Sequence, residues 1–219
     1  MKKILLIGMG KFGQILGQKL TDIGNQVMIV DKDEKKIEPF SKQYVDALIT
    51  DCMNADNLRA MDIPSFDACV VAIGDDFQSS LEVTSLLKEL GAKYVVSKAT
   101  TEIQRKFLLR NGADEVIYPN YDMAVKLAMT LNSTKVFDYI QLSADNSIME
   151  ISVPSRWTGK KLSDLNPRKN HGLNLLTVRK QDDSVIAELE PDYIFEAGDH
   201  MLVFGNTKKI LAFTDRKRP

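Results

Sequence analysis

Short apolar runs alternate along the first half of the chain with longer stretches whose apolar positions recur every three or four residues. The runs predict buried strands, and the longer stretches predict amphipathic helices. Six such strands separated by helices, several of them apolar throughout, indicate a doubly wound parallel α/β sheet. The predicted strands are residues 4–7, 26–30, 47–50, 68–73, 94–98 and 116–118, and the predicted helices are residues 12–23, 33–42, 54–61, 77–90 and 102–110.

A strongly apolar helix, predicted at residues 122–132, follows this domain. Only Lys126 and Thr130 interrupt the apolar sequence between Met123 and Leu131. A helix that is apolar nearly all round must be buried on several sides, and one face of a sheet cannot do that. Either a partner subunit covers the helix, or it is sandwiched inside one chain.

From about residue 136 the apolar period changes to the alternation typical of strands. Strands are predicted at residues 147–153, 173–179 and 201–204, with short helices at 161–165 and 207–213. The pattern predicts a small α+β module. The chain therefore divides into a first domain (1–120), a crossover helix and linker (121–135) and a second domain (136–219).

The composition is that of a soluble globular protein, with 44% apolar and 27% charged residues. The net charge of −1 offers no electrostatic footprint for nucleic acid. The two cysteines, Cys52 and Cys69, form no C-x-x-C pair and no metal-ligand spacing, which favours a reduced cytosolic setting. The chain lacks the eighteen or so consecutive apolar residues that a membrane span requires.

A glycine-rich turn follows the first strand and carries the clearest chemical signal. Gly8, Gly10 and Gly13 form the G-x-G-x-x-G pattern of a Rossmann-like dinucleotide-binding unit. The first glycine makes the turn, the second lets the backbone approach a pyrophosphate, and the third lets the helix approach the strand. Asp31, 21 residues after Gly10, ends the second strand, where a carboxylate accepts hydrogen bonds from a ribose diol. The sequence therefore predicts adenine-nucleotide binding.

Four further polar residues stand near the predicted crevice. Lys11 is placed to meet phosphate as a flexible point charge. Lys98, which ends the fifth strand, either points into the crevice or lies on the surface. Asp75 and Asp76 follow the fourth strand at the carboxyl edge of the sheet, where ligands bind. Capping of the next helix is the favoured role for this pair, and contact with a nucleotide sugar is the alternative.

Taken together, these motifs resemble the RCK fold, the regulator of potassium conductance. Over essentially its whole length the chain is similar to the cytosolic subunit of bacterial Trk/Ktr potassium-uptake systems. The segments that carry the resemblance are Gly8-Met-Gly-Lys-Phe-Gly13, Asp31, Thr50-Asp51, Ala72-Ile-Gly74, Lys98, Gly112-Ala-Asp-Glu-Val-Ile-Tyr-Pro119, Gly159-Lys-Lys-Leu-Ser-Asp-Leu165 and Ala197-Gly-Asp199.

The resemblance implies a regulatory subunit that is not an enzyme. It implies a homodimer that assembles into a larger ring, an octamer, under a membrane-embedded potassium translocator. The protein would then be cytoplasmic and peripherally associated with the inner face of the cell membrane. ATP or ADP, or NAD, would bind in the glycine-loop crevice and change the conformation of the ring.

The resemblance also assigns roles to individual residues. The three glycines would hold phosphates with Lys98 nearby, Asp31 would hold the ribose, and Asp51 and Cys52 would lie near the base. Lys11 stands where the family often has an arginine, so the charge is kept but the bidentate fork is lost. The implied set is Gly8, Met9, Gly10, Lys11, Phe12, Gly13, Asp31, Lys32, Asp51, Cys52, Ala72, Ile73, Gly74 and Lys98.

Two other ligands are considered from the same resemblance. Some relatives carry a glutamate associated with a cation where this chain has Asn120, so no metal is predicted. Gram-positive relatives bind cyclic di-AMP in the cleft between paired C-terminal domains. Here Arg168 would bind a phosphate, and Asn174 and Pro191 would flank the adenine. The alternative is that Arg168 is a surface charge and Asn174 only opens a strand.

Two rival functions share part of this signature. An NAD-dependent oxidoreductase would use the same glycine loop, but it needs a proton donor facing the nicotinamide, and none is recognisable. A redox-sensing DNA-binding repressor needs a helix-turn-helix and a basic face, and the sequence predicts neither.

Overall fold

The computed structural model describes residues 1–74 and 76–215. The chain forms two compact units, Met1–Tyr121 and Asp122–Pro219. The first is a parallel six-stranded sheet flanked by helices, and the second is built on a five-stranded antiparallel sheet. This architecture confirms the predicted fold class, a Rossmann-like domain followed by a small α+β domain.

The sheet of the first unit has the order β3-β2-β1-β4-β5-β6. The order reverses between β1 and β4, which creates a crevice at the carboxyl ends of these two neighbouring strands. The strands are β1 (Lys3–Ile7), β2 (Gln26–Asp31), β3 (Asp46–Ile49), β4 (Ala68–Val71), β5 (Val95–Lys98) and β6 (Glu115–Ile117).

Strand β1 is buried on both faces, as its unbroken apolar run predicts. Leu5 and Ile7 face one hydrophobic cluster, and Ile4 and Leu6 face the other. The helices over the two faces are α1 (Lys11–Asp22), α2 (Glu34–Ile37), α3 (Ala55–Arg59), α4 (Phe77–Glu89) and α5 (Glu102–Arg110), with short 3-10 turns at Glu38–Phe40 and Ile63–Ser65. Pro39 lies in the first of these turns, so the predicted helix at 33–42 is shortened.

Helix α6 (Pro119–Leu131) begins three residues earlier than predicted and runs from the first unit into the second. Proline is favoured at the first helical position because its missing N–H would have no partner there. None of the residues of α6 is buried within this chain. Val125 and Met129 pack partly against the core of the second unit, whereas Leu127 is 54% exposed and Leu131 76%.

The second unit has the sheet order β10-β9-β11-β8-β7 around a core that contains Trp157 and Phe195. Two of its strands were not predicted. Strand β7 carries a bulge that breaks its alternation, and β10 has only two residues. The elements are β7 (Val136–Gln141), β8 (Asn146–Ser152), a 3-10 turn at Ser155–Trp157, α7 (Leu162–Leu165), α8 (Pro167–His171), β9 (Asn174–Arg179), β10 (Val185–Ile186), β11 (His200–Asn206) and α9 (Thr207–Asp215).

Candidate nucleotide-binding site

A cavity of about 210 Å³ lies where the strand order of the first unit reverses. It is bounded by the carboxyl ends of β1, β2, β3 and β4, the edge at which ligands bind in open α/β sheets. The lining residues are Ile7, Gly8, Gly10, Asp31, Lys32, Lys36, Thr50, Asp51, Cys52, Met53, Ala72, Ile73, Gly74, Asp76, Ser79 and Val83.

The three glycines of the loop have distinct geometries. Gly8 has a φ of +99°, a conformation that side chains with a Cβ rarely adopt. A Cβ on Gly13 would collide with the Gly8 carbonyl oxygen, so this glycine lets α1 start close to the loop. Gly10 lines the cavity, and a Cβ placed on it would meet no atom within 4 Å. The loop therefore has the open space that a pyrophosphate needs.

Asp31 joins three segments at the end of β2. Its Oδ2 accepts a hydrogen bond from the Met9 N–H at 2.7 Å, and its Oδ1 accepts one from the Asp33 N–H at 2.9 Å. The side chain lines the cavity although the residue is only 8% exposed. Each carboxylate oxygen has further lone pairs, so the group can also accept hydrogen bonds from ribose hydroxyls.

Five of the residues implied by the resemblance do not line the cavity: Met9, Lys11, Phe12, Gly13 and Lys98. Met9 is fully buried, and its side chain belongs to the core beside β1 and β2, so a contact of this residue with a ligand would have to come from its backbone. Gly13 acts through the close approach to Gly8 described above. Lys11 is exposed on the first turn of α1.

Lys98 approaches the cavity from behind Gly74. Its Nζ lies 5.7 Å from the centre of the Phe12 ring, and it would stand 2.7 Å from a Cβ placed on Gly74. Neither a hydrogen bond nor an ion pair holds this ammonium within the part of the chain that the structure describes. The lysine is thus a cation at the edge of the crevice whose position depends on glycine at 74.

The cavity lining also combines apolar and polar groups that suit a purine. Met53, Ile73 and Val83 supply apolar contacts, and Asp51 and Thr50 supply polar atoms. Burial, together with the nearby carboxylates of Asp51 and Asp31, raises the pKa of the Cys52 thiol to about 12. Cys52 is therefore a neutral, weakly polar wall of the site rather than a nucleophile.

Asp76 caps α4 while also lining the cavity. Its Oδ1 accepts the Ser79 N–H at 3.1 Å, and its Oδ2 accepts the Ser79 hydroxyl at 2.5 Å. These hydrogen bonds lower the pKa of Asp76, and the charge of Lys32 adds to the effect. The predicted cap is thus present at Asp76, whereas Asp75 lies outside the described residues.

Sequence reasoning missed several lining residues that lie inside helices. Lys36 is on α2, and Ser79 and Val83 are on α4. Both helices begin near the carboxyl edge of the sheet, so residues of their first two turns can face the crevice. None of these residues belongs to a recognisable motif. Their place in the first two turns of a helix that follows a strand was the feature of the sequence that could have predicted them.

A second cavity, of about 580 Å³, lies in the second unit between α7, α8 and β9. It brings together Arg168, Asn174 and Pro191, the three residues singled out in the sequence. The Asn174 amide nitrogen donates to the Phe204 carbonyl oxygen at 3.2 Å, which leaves its side-chain oxygen available. The remaining lining residues are Leu162, Ser163, Asn166, Pro167, Leu173, Leu175 and Leu189.

Within residues 1–74 and 76–215, no group of three or more His, Cys, Asp or Glu side chains could hold a metal ion. Within the same residues, no helix is both long enough and apolar enough to cross a lipid bilayer.

The fold and the crevice define a class: a Rossmann-like nucleotide-binding domain joined to a small antiparallel domain. Two family models match the chain, the TrkA-N domain over residues 4–119 and the TrkA-C domain over residues 148–218. The Ktr system potassium uptake protein C of Bacillus subtilis (strain 168) is 33% identical over 98% of this chain and 97% of its own length. The chain belongs to this family of RCK-type regulatory subunits of Trk/Ktr potassium uptake.

Family membership confirms the resemblance to RCK subunits that the sequence indicated, and with it the prediction that the chain is a regulator rather than an enzyme. The oxidoreductase alternative shares only the Rossmann-like fold with such regulators.

Two solved structures are also similar. The GsuK channel bound to NAD matches with a TM-score of 0.69 at 14% identity, covering 100% of this chain and 40% of that one, a likeness of fold alone. A Shewanella denitrificans Kef CTD in AMP-bound form matches with a TM-score of 0.51 at 26% identity, covering 59% of this chain and 81% of that one.

Proposed function

We propose that this chain is a nucleotide-sensing subunit that gates a membrane-embedded potassium translocator. The observation that carries the proposal is the cavity at the reversal of strand order. There the open space over Gly10 and the carboxylate of Asp31 face one crevice. Binding of ATP or ADP, or of NAD, at this crevice would change the conformation of an oligomeric ring. The Ktr relative is a potassium uptake protein, which supports a potassium translocator as the partner.

The ligand class follows from the shape and chemistry of the crevice. Glycine backbone suits phosphate, a buried carboxylate suits a ribose diol, and the apolar part of the lining suits a purine. The similar Kef CTD structure in AMP-bound form supports adenine nucleotides as the class. Lys32 and Lys36 in the lining, with Lys98 at the edge, are cations available to ligand phosphates, and Asp31, Asp51 and Asp76 balance their charge.

The assembly is proposed from the exposed face of α6. Tyr121, Met123, Leu127 and Leu131 are each more than half exposed in a single chain. A contiguous apolar face of this kind is typical of a subunit interface. We therefore retain the homodimer as the unit of a larger ring, an octamer. The ring would lie in the cytoplasm at the inner face of the membrane, held there by the translocator.

The direct test is to identify and titrate the nucleotide. Protein purified from cells is denatured, and the released compounds are identified by mass spectrometry against ATP, ADP and NAD standards. Calorimetry on nucleotide-free protein then measures the affinity for each. We expect at least one of the three to bind with micromolar or tighter affinity. Absence of binding by all three would overturn the proposal.

Gly10→Ala is expected to weaken ADP binding at least about tenfold, which corresponds to ~1.4 kcal/mol. Gly10 has φ −67° and ψ 179°, which alanine adopts readily, and the added methyl group meets no protein atom. The fold should therefore be unchanged while the methyl group occupies phosphate space. Calorimetry and thermal melting of the ligand-free variant measure the two effects. Gly13→Ala provides the contrast, because its methyl group collides with the loop and should also lower the melting temperature.

Cyclic di-AMP is a second proposed ligand, at the cavity of the second unit. An arginine, an asparagine and a proline line one concave surface together with several leucines, which suits a ligand with phosphates and purines. A ligand with two-fold symmetry fits the interface of a two-fold dimer, where each subunit offers the same residues to one half. The expected stoichiometry is one cyclic di-AMP for each dimer.

Arg168→Ala should weaken cyclic di-AMP binding by roughly ten- to a hundred-and-fiftyfold, because one charge-assisted hydrogen bond contributes about 1.5–3 kcal/mol. ADP affinity should be unchanged, since the two cavities lie in different units. Calorimetry with both ligands measures this. Lys169→Ala is a matched control, because Lys169 is the adjacent cation on α8 and does not line the cavity. If micromolar cyclic di-AMP gives neither a heat of binding nor a shift in the melting temperature of the native protein, the proposal that this ligand binds is overturned.

A further inference from the structure

Gln14 contacts the glycine loop from within the helix that the loop opens. Its side-chain Nε2 donates to the Met9 carbonyl oxygen at 2.9 Å. On the other side of the same residue, the Met9 N–H donates to Asp31 Oδ2 at 2.7 Å. Side chains thus hold both peptide groups that flank the Met9 Cα, while the Met9 side chain is fully buried in the core.

This arrangement fixes the direction of the next backbone donor. The peptide group that contains the Met9 carbonyl also contains the Gly10 N–H, and the two point in opposite directions in a planar trans peptide. With the carbonyl held towards Gln14, the Gly10 N–H points away from Gln14, and Gly10 itself lines the cavity. Within the described residues this N–H has no hydrogen-bond acceptor.

We infer that Gln14 is a positioning residue for phosphate binding: it holds the Met9 carbonyl and thereby aims the Gly10 N–H at a ligand phosphate. The inference rests on the nucleotide-binding function proposed above. Backbone N–H groups of such loops bind phosphate best when they are oriented before the ligand arrives. Gln14 would therefore contribute to the affinity for phosphate-bearing ligands and not to recognition of the nucleoside.

The test is Gln14→Met, which keeps the length of the side chain and removes the donor. Loss of one hydrogen bond that orients a ligand-binding group should weaken ADP binding about five- to tenfold. Adenosine, which lacks phosphate, should bind the variant and the native protein equally. Gln18→Met is the matched control, because Gln18 lies one turn further along α1 and donates only to Asp22, at 2.8 Å. It should change neither affinity.

Three outcomes overturn the inference. If Gln14→Met weakens ADP and adenosine binding equally, Gln14 supports the site as a whole and does not act on the phosphate specifically. If the ADP affinity is unchanged, Gln14 does not contribute to phosphate binding. The third concerns the ligand-free protein, in which ¹⁵N relaxation should show a lower order parameter at Gly10 in Gln14→Met than in Gln18→Met. Equal order parameters would show that Gln14 does not order the loop. Failure of the native protein to bind ADP is a separate result that overturns the proposed function itself and, with it, the phosphate role.

Discussion

Asp31→Ala is expected to weaken ADP binding by about a hundredfold or more. Charge-assisted hydrogen bonds to a ribose diol contribute roughly 1.5–3 kcal/mol each, and the substitution removes both. It also removes the acceptor of the Met9 N–H, so the glycine loop loses one of its two side-chain supports. The ribose contact and the order of the phosphate loop are therefore lost together.

Calorimetry with ADP and adenosine measures the loss for each ligand, and we expect both to be weakened. Asp33→Ala is the control, because Asp33 lies two residues further on and caps α2 through the Lys35 N–H at 3.0 Å. It should leave ADP affinity nearly unchanged. The native protein should also bind NADP more weakly than NAD, since the Asp31 carboxylate repels a 2′-phosphate. NADP bound as tightly as ADP would contradict the ribose assignment.

Leu127→Glu is expected to dissociate the dimer before it unfolds the first unit. If α6 is buried between subunits, the new carboxylate must lose its hydration without gaining a partner, at a cost of several kcal/mol. In the isolated chain Leu127 is 54% exposed, so the same charge costs little within one subunit. The variant should therefore remain folded, and its assembly should have a lower mass than that of the native protein.

Light scattering gives the mass of the assembly, and circular dichroism reports the fold. Ile23→Glu is the matched control, because Ile23 is 74% exposed at the end of α1 and the substitution adds the same charge. It should leave the dimer intact. An unchanged mass for Leu127→Glu would show that this face of α6 is not the dimer interface.

The first unit was predictable because its signals are local and repeated. Buried parallel strands read as unbroken apolar runs, and the glycine turn with Asp31 marks the nucleotide end of the sheet. The second unit was predicted in outline only. Strand β7 carries a bulge and β10 has two residues, so neither shows the alternation on which strand prediction depends.

The candidate site was predicted best where a motif fixes the position of a residue at the carboxyl edge of the sheet. Gly8, Gly10 and Asp31 line the crevice as their motif requires. Met9 lies between two of them and yet turns its side chain into the core, because side-chain direction in a loop follows from dihedral angles that the sequence pattern does not encode. The contribution of Lys36 depends on how α2 is oriented, which is a tertiary property.

The two oxygens of Asp31 have a consequence for attempts to change cofactor preference. A common route to acceptance of a 2′-phosphorylated cofactor is to neutralise the acid at the end of the second strand. In this protein that carboxylate also accepts the N–H groups of Met9 and Asp33, so it holds the glycine loop and the start of α2 in place. A neutral replacement would alter the geometry of phosphate binding together with the selectivity at the ribose. Redesign of this site has to supply new acceptors for both N–H groups before it removes the charge.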